Sequence, residues 1–412
     1  MASISDRLKA LGVSLGSEGL APRKKRANFP IEQIIDGQAQ ETPFGEAFVV
    51  EEFFPSDYAH GAAPLRFPAQ MDKMAAWGRD ARIASIEPEG FLFLDTETTG
   101  LSGSSATFAF LIGAGRFEEG GFRQQQFFLR DPIEEPALLA ALESFAAPAD
   151  ALVTFNGKAF DIPLLNTRYL TNAAPPPFDE MAHLDLLHLA RRLWRDVLPS
   201  RALGDLEIEV LDIKRTADDI PGWMIPQLYT DYLYTGDARP LSGVFYHNTM
   251  DILSIAALFE LMAGRLAAPL ESEMGDQAEL YAIGRLFADL GFSEEAIEVF
   301  EMGLGRKLPE DVQFRLVENL ACLHRRKGDY QAALKLWEMA AGDGHVYAHV
   351  EIAKYYEHRA VDLASALNFT LTALDVVNSK NTPRFDRLHW TPLLEHRRAR
   401  LERRLARQTE RQ

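Results

Sequence analysis

Asp95-Thr96-Glu97 is where residue type and spacing in this 412-residue chain first suggest chemistry. The residues before it are apolar, so Phe91–Asp95 (FLFLD) has the pattern of a short buried strand. Strand side chains two apart point to the same side, which presents Asp95 and Glu97 together at the strand's end. Two neighbouring carboxylates repel unless something positive joins them. A hard divalent cation does so, because Mg²⁺ prefers carboxylate oxygens and keeps waters free for a phosphate. Taken alone, the same pair is also readable as an acidic turn in solvent.

The longer string FLFLDTETTGL resembles the first motif of the DEDD 3′–5′ exonucleases, a branch of the RNase H-like fold. Two further motifs follow in the order that resemblance implies. Phe155-Asn156-Gly157-Lys158-Ala159-Phe160-Asp161 is similar to the second, an Asn followed by Phe-Asp ahead of a helix, and His247-Asn248-Thr249-Met250-Asp251 is similar to the third. The segments SSATFAFLIGAG, TFNGKAFDIPLL, HLDLLHLARR, GDLE, DDIPG and YHNTMDILSI are similar to the YprB-type RNase H-like proteins, over about Gly90 to Leu261.

The resemblance implies a nuclease that removes nucleotides from the 3′ end of single-stranded DNA or RNA. Asp95, Glu97, Asp161 and Asp251 would hold two divalent ions, Mg²⁺ or Mn²⁺, that neutralise charge on the reacting phosphate and the leaving 3′ oxygen. His247 would accept the proton of the attacking water, since its unperturbed pKa near 6.5 suits a base at neutral pH. Relatives with a histidine base place it five residues before the last aspartate, and those with a tyrosine place it four before. This chain departs from both, with Tyr246 at five and His247 at four. His247 is the preferred base, although the two positions lie within about 100° of each other on a helix.

Several residues carry two readings. Thr98 and Leu101 follow the first motif where relatives wedge against the terminal nucleotide, and Asn156 and Phe160 stand where sugar or base contacts occur; all four also read as turn or core. Asp185 sits where relatives carry an aspartate before a helix and supports the fold or the site. Asn248 either hydrogen-bonds near the site or caps locally, and His183 and His188 read as structural. Arg191, Arg192 and Arg195 lie along one expected helix, presenting either a phosphate-binding or a solvated face.

The elements that must position these groups are legible from about Gly90. Phe108–Gly115 and Phe122–Arg130 read as strands with Gly120-Gly121 between them, which makes an antiparallel meander with the first strand. A helix over Pro136–Ala147 and a strand over Ala151–Phe155 follow, then helices from Pro163, from His183 and from His247. The pattern is α/β: the resemblance implies an RNase H-like mixed sheet flanked by helices over residues 86–268. Residues 1–85 lack sustained periodicity and read as an extended or partly ordered lead-in, whose Arg23–Arg26 run is a candidate nucleic-acid contact or simply solvated.

Beyond about Ser272 strands vanish. Ile283–Leu304 and Leu320–Ala341 share a helix-turn-helix layout, with Gly291 and Ala296 in one matched by Gly328 and Ala333 in the other at an offset of 37 residues. A looser copy over Ile352–Leu374 carries Ala353 and Ala366. Paired amphipathic helices with this period resemble tetratricopeptide (TPR) repeats, so residues 272–376 are expected to be an all-α, TPR-like array offering a concave face to a protein partner. Residues 377–412 form a basic C-terminal helix.

Composition narrows the partners. A formal charge of −17 excludes a protein that coats duplex DNA by neutralising many phosphates, yet permits an enzyme with a local site. No apolar run approaches the roughly 18 residues that cross a bilayer, and no secretory signal opens the chain. The expectation is a cytoplasmic protein with no membrane partner, and the single cysteine, Cys322, agrees. From Val376 onward there are ten Lys/Arg against four Asp/Glu, a tail that either meets an acidic partner or lies solvated. The alternative to an enzyme is a catalytically weak or inactive nucleic-acid-binding scaffold that recruits partners through its helical repeats.

Overall fold

The computed structural model describes residues 29–100, 107–269, 277–306, 308–379 and 382–410. They fall into two compact units. One comprises the described residues up to Phe67 and those within Ile86–Asp185 and Leu211–Ala257; the other comprises Pro68–Ser85, Leu186–Val210 and the described residues from Leu258 onward.

The first unit is built on a mixed seven-stranded sheet in the order β1-β2-β7-β6-β5-β8-β9. Its strands are β1 (Gln38–Thr42), β2 (Gly45–Pro55), β5 (Phe91–Thr98), β6 (Ala109–Glu118), β7 (Gly121–Phe128), β8 (Ala151–Thr154) and β9 (Ala182–Asp185). A small separate hairpin supplies β3 (Ala59–His60) and β4 (Ala63–Pro64). Strand β5 is where direction changes, since it pairs antiparallel with β6 and parallel with β8. The expected meander of β5, β6 and β7 is present.

Alternation along β5 sends Leu92 and Leu94 to one face and Phe91 and Phe93 to the other. Leu92 and Leu94 join Phe110, Ile112, Leu138 and Tyr229 in one buried cluster, beneath α2 (Glu135–Ala146) and α6 (Ile225–Thr235). On the opposite face Phe93 meets Phe117 and Phe122 edge-on, each with ring centroids 5.6 Å away. Burying aromatic and aliphatic area on both faces explains why this strand reads as a continuous apolar run. Helix α3 (Asp161–Thr171) is tied to α2 by a buried bidentate pair, in which Arg168 Nε and Nη2 each donate to Glu135 at 2.6 Å.

Two sequence expectations are corrected. His183–Asp185 ends the parallel strand β9 rather than opening a helix; the helix α4 (Leu186–Trp194) starts only after it. Its helix-like spacing misled because Leu184 and Asp185 are both buried, which erases strand alternation. Within the stretch read as lead-in, β1 and β2 are regular strands, and β2 pairs with β7 over Phe48–Pro55. β1 (QAQET) has little apolar residue to register a period, and it takes its form from pairing with β2. Arg23–Arg26 and Leu101 lie outside the described residues.

The second unit is all-helical. Besides α1 (Asp72–Gly78), α4 and α5 (Leu203–Glu209), it holds α8 (Gln277–Leu290), α9 (Ser293–Leu304), α10 (Glu310–Lys327), α11 (Tyr330–Gly342), α12 (Val346–His358), α13 (Leu363–Asn378) and α14 (Arg384–Thr409). Gly291 and Gly328 adopt positive φ, +91° and +88°, in the turns after α8 and α10, where a side chain would be strained. Ala296, Ala333 and Ala366 are fully buried. The basic helix α14 is not simply solvated: Arg397, Arg400 and Arg404 all donate to the buried Glu357 at 2.6–2.8 Å. No helix among the described residues is long and apolar enough to cross a membrane.

Candidate active site

Asp95 and Glu97 occupy the end of β5 on the face shared by Phe91 and Phe93. That face is covered by α7 (Ser242–Ala267), and a glycine lets the helix come close. Asp95 pairs across the ladder with Gly113, where an added Cβ would lie 2.4 Å from Asn248 Oδ1 and 2.8 Å from Ile252 Cγ1. Asn248, fully buried, donates from Nδ2 to Asp95 Oδ2 at 3.2 Å. Gln126 on β7 fixes the amide's orientation by donating to Asn248 Oδ1 at 3.0 Å. The asparagine therefore holds a catalytic candidate in place; of its two sequence readings, the hydrogen bond near the site is the one observed.

Asp161 is the first residue of α3, and Thr96 Oγ1 donates to its Oδ1 at 2.5 Å. The turn leading to it is held by Asp185, whose carboxylate accepts the backbone N–H groups of Asn156 at 2.8 Å and Lys158 at 3.2 Å. Asn156 sits there with φ of +70°, a left-handed conformation that asparagine tolerates better than most residues. Asp185 thus acts on the backbone ahead of Asp161. His183 is spent on Thr154 at 2.9 Å, and burial pushes its pKa down to about 4, so it stays neutral.

The third segment is α7, which carries Tyr246, His247 and Asp251. Tyr246 is turned aside, its hydroxyl accepting the backbone N–H of Thr216 at 3.1 Å. His247 faces the acids, with Nε2 3.5 Å from Asp251 Oδ2 and 3.9 Å from Glu97 Oε1. Its Nδ1 lies 2.8 Å from Asp219 Oδ1. A carboxylate can only accept, so Asp219 assigns the N–H to Nδ1 and leaves the Nε2 lone pair toward the acidic cluster. Arg215 closes the group: Nη2 donates to Asp251 Oδ1, while Nη1, which can only donate, donates to Asp219 Oδ1 at 3.4 Å and abuts the protonated His247 Nδ1 at 3.0 Å without a hydrogen bond to it.

The cluster is electrostatically tense. Burial, then Asp251, Asp161 and Glu97, raise Asp95 well above the usual carboxylate range. Burial, then Asp251 and Asp161, raise Glu97, with Arg215 opposing. Asp161 is pushed up to about 6, chiefly by burial, against the Thr96 hydrogen bond that favours its charged form. One guanidinium does not balance four acids. Donor atoms of Glu97, His247 and Asp251 lie within 4.8 Å of one another, close enough to share a metal ion. Carboxylate oxygens with one imidazole nitrogen and no thiol suit a hard divalent cation.

A model of the RNase H superfamily matches residues 92–263, the span that holds the whole cluster. The uncharacterized protein YprB of Bacillus subtilis (strain 168) is 30% identical over 348 residues, 82% of this chain and 82% of that one. The chain belongs to the family of YprB and carries an RNase H superfamily domain. Nucleic acid is the substrate class that this RNase H-like domain implies, and hydrolysis the reaction class.

Of the residues singled out in sequence, this RNase H-like unit brings together Asp95, Glu97, Asp161, His247 and Asp251. Thr98 lies at a β-bulge directly after Glu97, with its hydroxyl donating to Gly100 O at 2.7 Å. Phe160 is 45% exposed, a large aromatic ring open to solvent one residue before Asp161. Arg215 and Asp219 escaped sequence reasoning. Asp219 lay inside the DDIPG segment, so the signal was present without a role attached; Arg215 had none.

Proposed function

We propose that this protein is a 3′–5′ exonuclease acting on single-stranded DNA or RNA, with Asp95, Glu97, Asp161 and Asp251 holding two divalent cations, Mg²⁺ or Mn²⁺. One observation carries the reading: carboxylates from three separate chain segments converge at the end of β5, where burial and then Asp251 and Asp161 raise the pKa values of Asp95 and Glu97. A protein without a cation to place there has no reason to bury them together, because unpaired buried charge is costly. When bound, the cations supply charge neutralisation at the scissile phosphate and the leaving 3′ oxygen.

The residues supply the rest. His247 takes the proton of the attacking water at Nε2, and Asp219 on Nδ1 stabilises the imidazolium that results. Asn248 keeps Asp95 Oδ2 fixed while charge redistributes around it. Phe160 offers a ring on which the terminal base stacks, and Thr98 and Asn156 line the approach of the sugar. The TPR-like reading of α8–α13 is supported by the two matched glycine turns and the buried alanines, and assigns those helices to a protein partner.

The test is hydrolysis of a 5′-labelled single-stranded oligonucleotide by the purified full chain with Mg²⁺ or Mn²⁺. A ladder shortening from the 3′ end, abolished by chelator and by Asp95→Ala, is expected. An inert wild-type chain, or activity unchanged in Asp95→Ala, overturns the reading and leaves the non-hydrolysing scaffold in its place.

A further inference from the structure

Helix α4 is two-faced by its spacing. Leu186, Leu189, Ala190 and Leu193 recur at i, i+3, i+4 and i+7 and are buried. His188, Arg191, Arg192 and, one residue beyond the helix end, Arg195 recur in the same rhythm on the other side. They line a cavity of about 480 Å³, to which Arg285 of α8, Arg201 and Trp77 of α1 also contribute. That volume is in the range of small-molecule sites, roughly 300–1,000 Å³. In a chain of net charge −17, five arginines lining one cavity beside a single carboxylate, Asp196, is a concentration of the minority charge.

The cations are largely uncompensated. Asp196 is claimed by Arg315, which donates to it at 3.1 Å, and Arg192 is the one lining arginine paired to an acid, Asp289. Arg191, Arg195 and Arg285 have no carboxylate partner among the described residues. Arg201 donates Nη1 to Leu198 O at 2.8 Å, while its Nε is buried without a hydrogen-bond partner. A buried N–H left unmet and guanidiniums left facing each other both cost free energy, and a phosphate with several acceptor oxygens relieves both. Trp77, half-buried on the wall, adds an aromatic surface of the kind on which bases stack.

We propose that this cavity is a second, metal-independent site that binds the phosphates of a nucleotide, with Trp77 against the base. It stands apart from the hydrolytic reading, since none of its residues belongs to the carboxylate cluster. Two sources share this chemistry, a nucleotide unit within a single strand and a free nucleotide.

The test uses the full chain in chelator, so that binding is read without hydrolysis. Anisotropy of a labelled single-stranded oligonucleotide is compared between wild type and Arg191→Glu/Arg195→Glu, whose parent side chains are exposed and carry no packing role. Binding at least tenfold weaker is expected, with the slope of log K against log salt reduced by about 1.4 for two lost strand contacts. Arg285→Ala, read the same way, guards against misfolding of the double variant. In parallel, a nucleoside triphosphate is tested for raising the melting temperature of wild type but not of the variants. Oligonucleotide response alone identifies a strand, and response to the triphosphate identifies a free nucleotide. No binding of either by wild type, or equal binding by all variants, overturns the proposal whether or not the chain is a nuclease.

Discussion

The two units each contain a cluster of one charge sign, and the clusters differ in how they are held. Around Asp95 the acids are short side chains fixed by strand alternation, a helix N-terminus and a glycine-enabled helix contact, with Asn248, Thr96 and Asp219 holding the groups around them in place. Around α4 the bases are long side chains on a helix face, and Arg191 and Arg195 are exposed. The first arrangement is rigid and largely shielded from water, so its repulsion is strong and its geometry is fixed as the proposed metal coordination requires. The second is wet and adaptable, which screens the repulsion and suits capture of phosphate without a fixed pose.

The sharpest way to break this contrast is Asp95→Asn. Hydrolysis is expected to fall about 1,000-fold, on the order of 4 kcal/mol at 1.36 kcal/mol per decade, since a group placed to hold cations loses its charge. The metal-free variant should nonetheless melt at a higher temperature than wild type, because one member of a repelling set is gone. Equal activity, or a lower melting temperature with chelator, would contradict a strained acidic centre.

Next in size is the pH response of stability. The folded pKa of Asp161, about 6, lies above its ordinary 3.8. Between those values the folded chain holds a proton that the unfolded chain has released, so this group's contribution to stability falls as pH rises from about 4 through about 6 and stays low above that. Asp95 and Glu97 are raised as well and act in the same direction. In chelator, wild type should therefore lose stability relative to Asp161→Asn across that window. Saturating Mn²⁺ should remove the difference, because cations take the place of the missing protons. Calorimetry of both proteins with and without metal decides it.

These acids were legible in the sequence because each sits in a string whose local form is diagnostic: an apolar strand ending in Asp-Thr-Glu, an Asn ahead of Phe-Asp, and a helix with His247 one turn before Asp251. The choice of His247 over Tyr246 was not fixed by spacing; the orienting partner, Asp219, comes from 28 residues earlier. Gly113 looked like one glycine of a strand, and its purpose exists only once α7 lies across it. Likewise β1 gave no periodic signal, since a polar edge strand is made by its neighbour. Sequence thus revealed the candidate acids and His247 more readily than the residues that hold them.

Arg215 sharpens the comparison at an intermediate scale. Among the described residues it is the one cation inside the acidic cluster, donating to Asp251 and opposing the rise in Glu97. Arg215→Gln should lower the melting temperature in chelator, since the acids lose an internal counter-charge. It should also reduce the Mn²⁺ concentration for half-maximal stabilisation several-fold, because the cation no longer competes with a guanidinium for Asp251. Unchanged metal dependence would mean that Arg215 leaves the acids to bind metal unhindered.

The smallest effects belong to the arginine cavity. Burial, and then Arg285 beside it, lowers the pKa of Arg192, so Arg192 resists its own charge while Arg191 stands in solvent. Arg191→Ala should change ligand-free stability by no more than about 0.5 kcal/mol, as for surface positions generally. Arg285→Gln should raise it slightly, since removing the neighbour relieves Arg192 without exposing apolar surface. Chemical denaturation at low and high salt separates the two cases: the gain from Arg285→Gln should shrink as salt screens the cavity, whereas the gain from Asp95→Asn, in a drier cluster, should persist. If both gains vanish alike with salt, the acidic cluster is as wet as the basic one, and the distinction between a rigid metal-holding centre and an adaptable phosphate pocket fails.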